Sequence, residues 1–259
     1  MNTSFEYKTE LDGVRVRYAR GRSIRVGNEI HPYHEILFFL QGGGRLLTED
    51  FEVTLDSPTL CIFPKNAYHR FTVENQDEYT RIAISIDTSA TRGADLSRGG
   101  PRVISPLTPT LELLLSRIRD AVASPERDSS RLMLEGAVLM LLAELYETDG
   151  ERQSPERRAV SPELERAIAY IEKNLSVRIS TSDVARAAGL SDTALSRLFR
   201  ESLGITVYRF VTEKRLALAH ELISGGELPT KIYTEVGFGD YATFYKAYRK
   251  AFGRPPSEG

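Results

Sequence analysis

The chain has 259 residues and a formal net charge of −2, and 41% of its residues are hydrophobic while 27% are charged. This length allows two domains that each bury a core, and the composition is typical of a globular protein. No apolar run approaches the roughly 20 residues that a membrane-spanning helix needs, and the first residues lack the apolar core of a signal peptide. A single cysteine, Cys61, excludes a disulfide framework. We therefore expect a cytoplasmic protein in which Cys61 is a buried structural thiol.

Residues 1–100 consist of short segments in which apolar and polar residues alternate, separated by turn residues. Val14 and Val16 alternate with arginines, and Ile82, Ile84 and Ile86 recur at every second position. Five further strands are predicted at 35–41, 45–48, 51–54, 59–63 and 69–73. Many short strands at this spacing indicate a sandwich or a barrel. The glycine run 42–44 is predicted to be a hairpin turn and not a nucleotide-binding loop.

The order of histidines and strands in this region resembles that of a cupin-like effector domain. His31 and His34 precede a strand, and an apolar strand that ends at Pro64 is followed by His69. The resemblance implies a barrel that encloses one small organic effector. Candidate residues of this effector site are His34, Phe38, Phe63, His69 and Arg81. An arginine in such a site would suit an anionic effector.

The same histidines leave a metal site as an alternative, because metal-binding cupins gather His and Glu ligands from neighbouring strands. The candidate ligands are His31, His34, Glu35 and His69. Their spacing departs from the metal-cupin pattern, in which two histidines flank one residue and a glutamate follows several positions later. We therefore expect no metal, and a metal-dependent cupin enzyme or metal sensor fused to a DNA-binding domain is the alternative function.

No pattern in the sequence indicates catalysis. A Ser/His/Asp arrangement, a Gly-rich phosphate loop and a paired-carboxylate motif are all missing from the chain. We therefore expect no enzymatic activity and no cofactor. A barrel that binds a protein partner is a third hypothesis.

Residues 101–148 contain two apolar patterns at helical spacing. Leucines and other apolar residues recur at intervals of three and four over 109–122, and residues 131–146 are apolar around most of the helix circumference. The second helix must be covered on several sides, either by the core of its own domain or by a second subunit. Residues 149–160 are polar, contain Pro155 and are predicted to be an interdomain linker.

A short pattern occurs twice in the last 100 residues. The first copy spans 189–200 and is closed by Gly204, and the second spans 237–249 and is closed by Gly253. Each copy follows a short helix and a glycine-containing turn, and each has one apolar stripe and a polar, basic outer face. This arrangement is typical of a helix-turn-helix, whose second helix fits the major groove of B-DNA.

The chain from about Ser161 onward resembles the DNA-binding domain of AraC/XylS-type regulators. The residues that carry the resemblance are 185–199 with Gly204, Arg215 with Ala219, and Gly237-Phe238 followed by Phe244, Tyr248, Gly253 and Pro255-Pro256. It implies two helix-turn-helix units joined by one long helix, in a sequence-specific transcriptional regulator with an N-terminal cupin-like effector domain. The implied partners are double-stranded DNA, a small-molecule effector, the transcription machinery and a second copy of the chain, paired through residues 101–148. One departure is Tyr233, which stands where the first unit has Ala185 and the family has a small residue.

The resemblance also implies which side chains meet DNA. Base contacts are expected at Thr193, Ser196, Arg197, Tyr241, Tyr245 and Lys246, and phosphate contacts at Arg200, Arg249 and Lys250. From Ser161 to the end the chain has 14 Lys and Arg against 12 Asp and Glu, and the remainder has 20 against 24, so the C-terminal part is mildly basic. If the linking helix holds the two recognition helices about 34 Å apart, both enter successive major grooves on one face of the duplex.

The sequence therefore predicts a multidomain α and β protein. We expect a cupin-like β-barrel in 1–100, dimerisation helices in 101–148, a linker in 149–160 and an all-α domain with two helix-turn-helix motifs in 161–259.

Overall fold

The computed structural model describes residues 5–21, 27–56, 58–74, 78–147 and 157–258. The chain divides into two compact units with a boundary after Arg158. The second unit also includes residues 28–32, which contain the short strand β3 (Asn28–Glu29). No helix within the described ranges is long and apolar enough to cross a membrane. The predicted linker falls largely on residues 148–156, which lie outside the described ranges.

The first unit contains two β-sheets. Besides β3, the strands are β1 (Phe5–Leu11), β2 (Val14–Arg20), β4 (His34–Gln41), β5 (Gly43–Thr48), β6 (Phe51–Asp56), β7 (Thr59–Phe63), β8 (His69–Val73), β9 (Thr80–Ile86), β10 (Arg102–Ile104) and β11 (Arg158–Ala159). The six-stranded sheet has the order β1-β2-β9-β4-β7-β10, and the five-stranded sheet has the order β11-β6-β5-β8-β3. All seven strands predicted from alternation are present. β10 continues the first sheet beyond residue 100 by pairing with β7, with Val103 opposite Cys61.

The two faces of the six-stranded sheet belong to different hydrophobic cores. Alternate residues of a strand point to opposite faces. On β4, Ile36 and Phe38 pack in a core that also contains the leucines of the following helices. Leu37 and Phe39 pack instead in the core between the two sheets, together with Phe63 of β7. At β4 the six-stranded sheet is therefore covered on both sides, which explains why the central residues of this strand are apolar on both faces.

Two helices follow the sheets. α1 (Pro109–Ala123) begins at Thr108, whose hydroxyl accepts a hydrogen bond from the Leu111 backbone N–H, and proline occupies the first turn. α2 (Ser130–Glu147) buries Leu134, Ala137, Val138, Leu141, Leu142 and Leu145 in the core with α1 and the sheet. Its remaining apolar side chains are exposed, and they include Leu132, Leu139, Met140 and Tyr146. The intradomain core thus covers only one side of α2.

The glycine run 42–44 connects the two sheets. β4 lies in the six-stranded sheet and β5 in the five-stranded sheet, so the prediction of a hairpin turn is wrong. Gly42 has φ of 106°, a conformation that favours glycine, and Gly43 and Gly44 already belong to β5. A Cβ on Gly44 would lie 2.5 Å from the carbonyl oxygen of Thr72 on β8. The run therefore permits a sharp crossing between sheets and a close approach of two strands.

The second unit is helical. Its helices are α3 (Pro162–Lys173), α4 (Thr181–Ala188), α5 (Asp192–Ser202), α6 (Val207–Ser224), α7 (Pro229–Glu235) and α8 (Tyr241–Phe252), with a short 3-10 helix at Pro256–Glu258. The predicted caps at Ser161, Ser180 and Thr206 are present, and each side-chain oxygen accepts a backbone N–H of the first turn. The two predicted helix-turn-helix units are confirmed as α4–α5 and α7–α8, joined by α6.

Candidate nucleic-acid interface and effector chamber

Polar side chains fix the turn between α4 and α5. The Asp183 backbone N–H donates to Ser180 Oγ over 3.1 Å, and the Ser180 N–H donates to Asp183 Oδ2 over 3.3 Å, which closes a capping box. The hydrogen bond from the Ser180 side chain is the largest cause that lowers the pKa of Asp183. Gly189 ends α4 with φ of 73°, and Ser182 donates to the Asp192 carboxylate over 2.6 Å. These bonds hold α5 at a defined angle to α4.

α5 separates an apolar side from a basic side. Leu195 and Phe199 are fully buried, whereas Thr193, Arg197 and Arg200 are exposed and Ser196 is half-buried. Among the described residues, neither Arg197 nor Arg200 forms an ion pair. Their positive charge is therefore available to an external anion.

α8 repeats this arrangement. The Asp240 carboxylate accepts the Thr243 backbone N–H over 2.8 Å, which caps the helix and lowers the pKa of Asp240. Phe244 and Tyr248 are fully buried. The exposed side presents Lys246, Arg249 and Lys250, and the last two form no ion pair within the described part of the chain.

The tyrosines at the start of α8 are packed rather than free. Tyr241 is half-buried, and its ring contacts that of Tyr233 on α7 edge-on, with centroids 5.7 Å apart. Tyr245 is also half-buried and lies 6.2 Å from Tyr241. In the first helix-turn-helix, the position that corresponds to Tyr233 is occupied by Ala185, which is buried. The large side chain at Tyr233 is therefore accommodated by an aromatic contact with the second helix of its own unit.

The linking helix α6 is hydrogen-bonded to the segment that follows α3. Arg215 Nε donates to the carbonyl oxygen of Leu175 over 3.0 Å, and its Nη2 donates to that of Val177 over 2.6 Å. The neighbouring Lys214 forms an ion pair of 2.9 Å with Glu172 on α3 and is itself almost fully buried. Burial lowers the pKa of Arg215. Gly237, in the turn of the second helix-turn-helix, lies against the same guanidinium group.

The space between the two sheets contains three of the five candidate effector residues. Phe63, His69 and Arg81 are all buried there, and the rings of Phe63 and His69 stack with centroids 4.0 Å apart. The Arg81 guanidinium lies 6.0 Å from the ring centroid of Tyr79, a residue that the sequence analysis did not select. Tyr79 precedes Arg81 by two positions and therefore shares its face, a signal that alternation alone could have given. Burial raises the pKa of the Tyr79 phenol, and Arg81 opposes that effect.

The assignment of His34 and Phe38 to this interior is wrong. Phe38 packs in the core formed with α1 and α2, on the opposite face of β4. His34 shares that face by alternation, and its Nδ1 accepts the backbone N–H of Lys65 over 3.3 Å. Both faces of β4 are apolar, so the residue pattern of this strand does not indicate which face points inward.

Two of the candidate metal ligands lie close together in the first unit, with Glu35 Oε2 3.2 Å from His69 Nε2. Cys61 is fully buried as predicted, and burial, followed by the nearby Glu35 carboxylate, raises the pKa of its thiol.

Comparison with known families accounts for both units. A model described as the AraC-like ligand binding domain matches residues 13–142, and one described as a helix-turn-helix domain matches residues 184–258. The chain belongs to the AraC family of transcriptional regulators. This membership confirms the predicted combination of an effector-binding domain with a helix-turn-helix DNA-binding domain.

Individual relatives of this AraC-family chain match different parts of it. The Msm operon regulatory protein of Streptococcus mutans is 22% identical over 245 residues, which cover 92% of this chain and 87% of that protein. The probable transcriptional regulator LumQ of Photobacterium leiognathi is 33% identical over 89 residues, which cover 34% of this chain and 36% of LumQ. The chain thus spans about a third of LumQ and most of the Msm protein.

Two solved structures are similar to part or nearly all of this AraC-family chain. The C-terminal domain of AraT, a response regulator from Geobacillus stearothermophilus, is 34% identical, and the match covers 38% of this chain and 83% of that chain with a TM-score of 0.36. ToxT from Vibrio cholerae is 14% identical, and the match covers 99% of this chain and 95% of that chain with a TM-score of 0.43.

Proposed function

We propose that this AraC-family chain is a homodimeric, cytoplasmic regulator that reads double-stranded DNA through both α5 and α8 and acts on the transcription machinery. The observation that carries the proposal is the pair of capped helices, each anchored by two buried apolar or aromatic side chains, whose exposed Arg197, Arg200, Arg249 and Lys250 form no ion pair with any described residue. A helix with fixed caps and a free basic face suits a major groove, where phosphates supply affinity and base edges supply specificity.

Individual roles follow from side-chain chemistry. Arg197 is proposed to recognise guanine, because its planar guanidinium group can donate hydrogen bonds to O6 and N7 together. Lys246 is proposed to contact guanine with a single ammonium group, which gives less geometric specificity. Thr193 and Ser196 contribute hydroxyl groups to neighbouring bases. Tyr241 and Tyr245 are half-buried, so they present ring edges rather than whole side chains to the DNA. The proposed phosphate contacts are Arg200, Arg249 and Lys250.

The first unit is proposed to bind the effector between its two sheets. The inward-facing Phe63, His69 and Arg81 combine an apolar surface with one fixed positive charge, which favours a small organic anion. The proposed domain limits are 1–100 for the cupin-like barrel, 101–148 for the dimerisation helices, 149–160 for the linker and 161–259 for the DNA-binding domain. An effector acts as a switch only if it binds one state of the regulator more tightly than another.

The exposed side of α2 supports a dimer. Leu139, Met140 and Tyr146 are 50%, 60% and 58% exposed, and Leu132, about two turns before Leu139, is 73% exposed. With Gly136 and Ala143 they form one continuous apolar stripe along the helix, since residues spaced by three, four and seven share a face. A stripe of this kind on a helix pairs with the same stripe of a second copy around a two-fold axis.

The proposal is tested by DNA selection with the full-length protein. Random duplexes are enriched by binding, and fluorescence anisotropy then measures the affinity of wild type, Arg197→Ala, Arg249→Ala and Arg209→Ala for the enriched site and for single-base variants. Arg209 is a matched control, because it is exposed but already paired with Glu213 at 2.7 Å. We expect R197A to lose discrimination at one base pair at a cost of about 1–3 kcal/mol, R249A to weaken all sites alike, and R209A to change little. Enrichment of no sequence over random DNA at moderate salt would refute the proposed function.

A further inference from the structure

The two helix-turn-helix motifs of the C-terminal unit differ in charge. Residues 180–204, which contain α4 and α5, carry three arginines against three aspartates and glutamates, a net charge of zero. Residues 228–253, which contain α7 and α8, carry four lysines and arginines against two aspartates and glutamates, a net charge of +2. Because each cation that neutralises a phosphate adds to the affinity for DNA, the two motifs are not equivalent DNA-binding surfaces.

One charge reversal lies at the start of the first helix of each motif. Ala185 of α4 and Tyr233 of α7 occupy corresponding positions, so Asp183 corresponds to Lys231, two residues earlier. The Asp183 carboxylate accepts the Ser180 backbone N–H and completes the cap of α4. Lys231 is exposed and forms no ion pair with any described residue. A cation in the first turn opposes the helix macrodipole, so the stability of α7 does not explain a lysine there.

A second charge reversal lies at the end of each recognition helix. Phe199 of α5 and Tyr248 of α8 are corresponding buried residues. Glu201 therefore corresponds to Lys250, two residues later. Both side chains are exposed, and neither forms an ion pair within the part of the chain that the structure describes. At both reversals the acidic residue belongs to α4–α5 and the lysine belongs to α7–α8.

The side chains that can distinguish bases are distributed in the opposite way. α5 exposes Thr193 and Arg197, a hydroxyl and a guanidinium group whose hydrogen bonds discriminate between base edges. At the start of α8, Tyr241 is half-buried against the ring of Tyr233, with centroids 5.7 Å apart. α5 therefore presents more polar groups to base edges than α8 does.

We propose that the second helix-turn-helix holds DNA mainly through phosphates, with the Lys231 ammonium group as a further phosphate contact, while the first supplies most of the sequence discrimination. In a helix-turn-helix the first helix crosses the sugar–phosphate backbone and the second lies in the major groove. A lysine in the first turn of α7 suits such a crossing, whereas the Asp183 carboxylate of α4 repels a phosphate. This inference rests on the proposed DNA-binding function and assigns unequal roles to its two motifs.

The test is the salt dependence of binding, measured by fluorescence anisotropy with the full-length protein and an enriched duplex. The logarithm of the binding constant falls with the logarithm of the salt concentration, with a slope of about 0.9 for each phosphate contacted. Lys231→Gln removes the proposed contact. Lys173→Gln is the matched control, because Lys173 is an exposed lysine at the end of α3 that forms no ion pair with a described residue. Glu201→Lys gives the first motif the charge that the second has at Lys250.

We expect K231Q to flatten the slope by about 0.9 and to weaken binding to enriched and random duplexes alike. E201K should steepen the slope by a similar amount, and K173Q should leave it unchanged. Single-base variants should weaken binding more in the half-site where R197A loses discrimination than in the other half-site. K231Q should melt no lower than wild type, since it removes a cation from the first turn of a helix.

The inference and the proposed function fail in different ways. Unchanged slopes in K231Q and E201K, an equal change in K173Q and K231Q, or equal discrimination in both half-sites would overturn the inference while specific DNA binding stood. Enrichment of no duplex over random DNA would refute the proposed function and the inference together.

Discussion

Arg215 and Gly237 lie in direct contact although they belong to the linking helix and to the turn of the second helix-turn-helix. A Cβ placed on Gly237 would come within 2.6 Å of the Arg215 guanidinium carbon and 2.3 Å of the Leu175 carbonyl oxygen. The same guanidinium donates to the carbonyls of Leu175 and Val177. The Arg215 side chain thus connects the segment that follows α3 to the turn between α7 and α8.

Gly237→Ala should destabilise the helical C-terminal unit, in which Gly237 forms the turn of the second helix-turn-helix. Gly237 has φ of 83°, which is unfavourable for alanine, and the new methyl group would collide with a backbone oxygen that cannot move aside cheaply. We expect a loss of about 2 kcal/mol or more in the free energy of unfolding, measured by urea denaturation. Gly239→Ala is the control, because nothing lies within 4 Å of a Cβ at that position. Equal stability of the two variants would contradict the proposed contact.

Arg215→Lys should uncouple the two DNA-reading helices. Lysine keeps the charge but cannot donate to two carbonyls in the fixed geometry of a guanidinium group. We expect affinity for a duplex with both half-sites to fall, while affinity for a single half-site is retained, as measured by fluorescence anisotropy. Arg209→Lys on the same helix serves as control, since Arg209 pairs only with Glu213 on the surface. An equal loss on both duplexes would show that Arg215 contributes to folding alone.

The stability of α4 should depend on pH through Asp183. The Ser180 side chain, then the Ser180 backbone N–H, lower the pKa of this carboxyl in the folded state. Its contribution is therefore fully present above the unfolded pKa of about 3.9 and is lost as the pH falls through the lower, folded value. Asp183→Asn should melt at a lower temperature than wild type at pH 7, and the difference should narrow toward pH 3. Glu227→Gln, in the exposed connection after α6, is the control, and a constant difference across this range would contradict the mechanism.

Leu139→Glu should dissociate the proposed dimer without unfolding the chain. Leu139 is 50% exposed at the centre of the apolar stripe of α2, so a charge there is solvated in a monomer but buried in a dimer. Sedimentation velocity should show a dimer for wild type and a monomer for the variant. Leu228→Glu offers a comparable control, since Leu228 is 55% exposed and lies in the second unit. A wild-type monomer at micromolar concentration would refute the proposed interface.

The second unit could be predicted closely from the sequence, and the interior of the first could not. The spacing of Leu195 with Phe199, and of Phe244 with Tyr248, fixes the buried side of each recognition helix and hence the exposed one. On β4 no such contrast exists, because residues on both faces are apolar, so alternation does not predict which face carries Phe38.

The approach of Glu35 to His69 could not be predicted from the sequence for a related reason. Both are residue types that can bind metals, but their spacing along the chain does not indicate that Glu35 Oε2 and His69 Nε2 lie 3.2 Å apart. Long-range placement of this kind depends on topology rather than on local periodicity.

β4 is a single strand that separates two hydrophobic cores, one between the sheets and one shared with α1 and α2. Leu37 and Phe38 are consecutive, yet Leu37 packs in the core between the sheets and Phe38 packs in the core with α1 and α2. A mutation that shifts the backbone of β4 therefore changes the packing of both cores at once. Repacking the core between the sheets leaves α1 and α2 undisturbed only if the backbone of this strand stays in place.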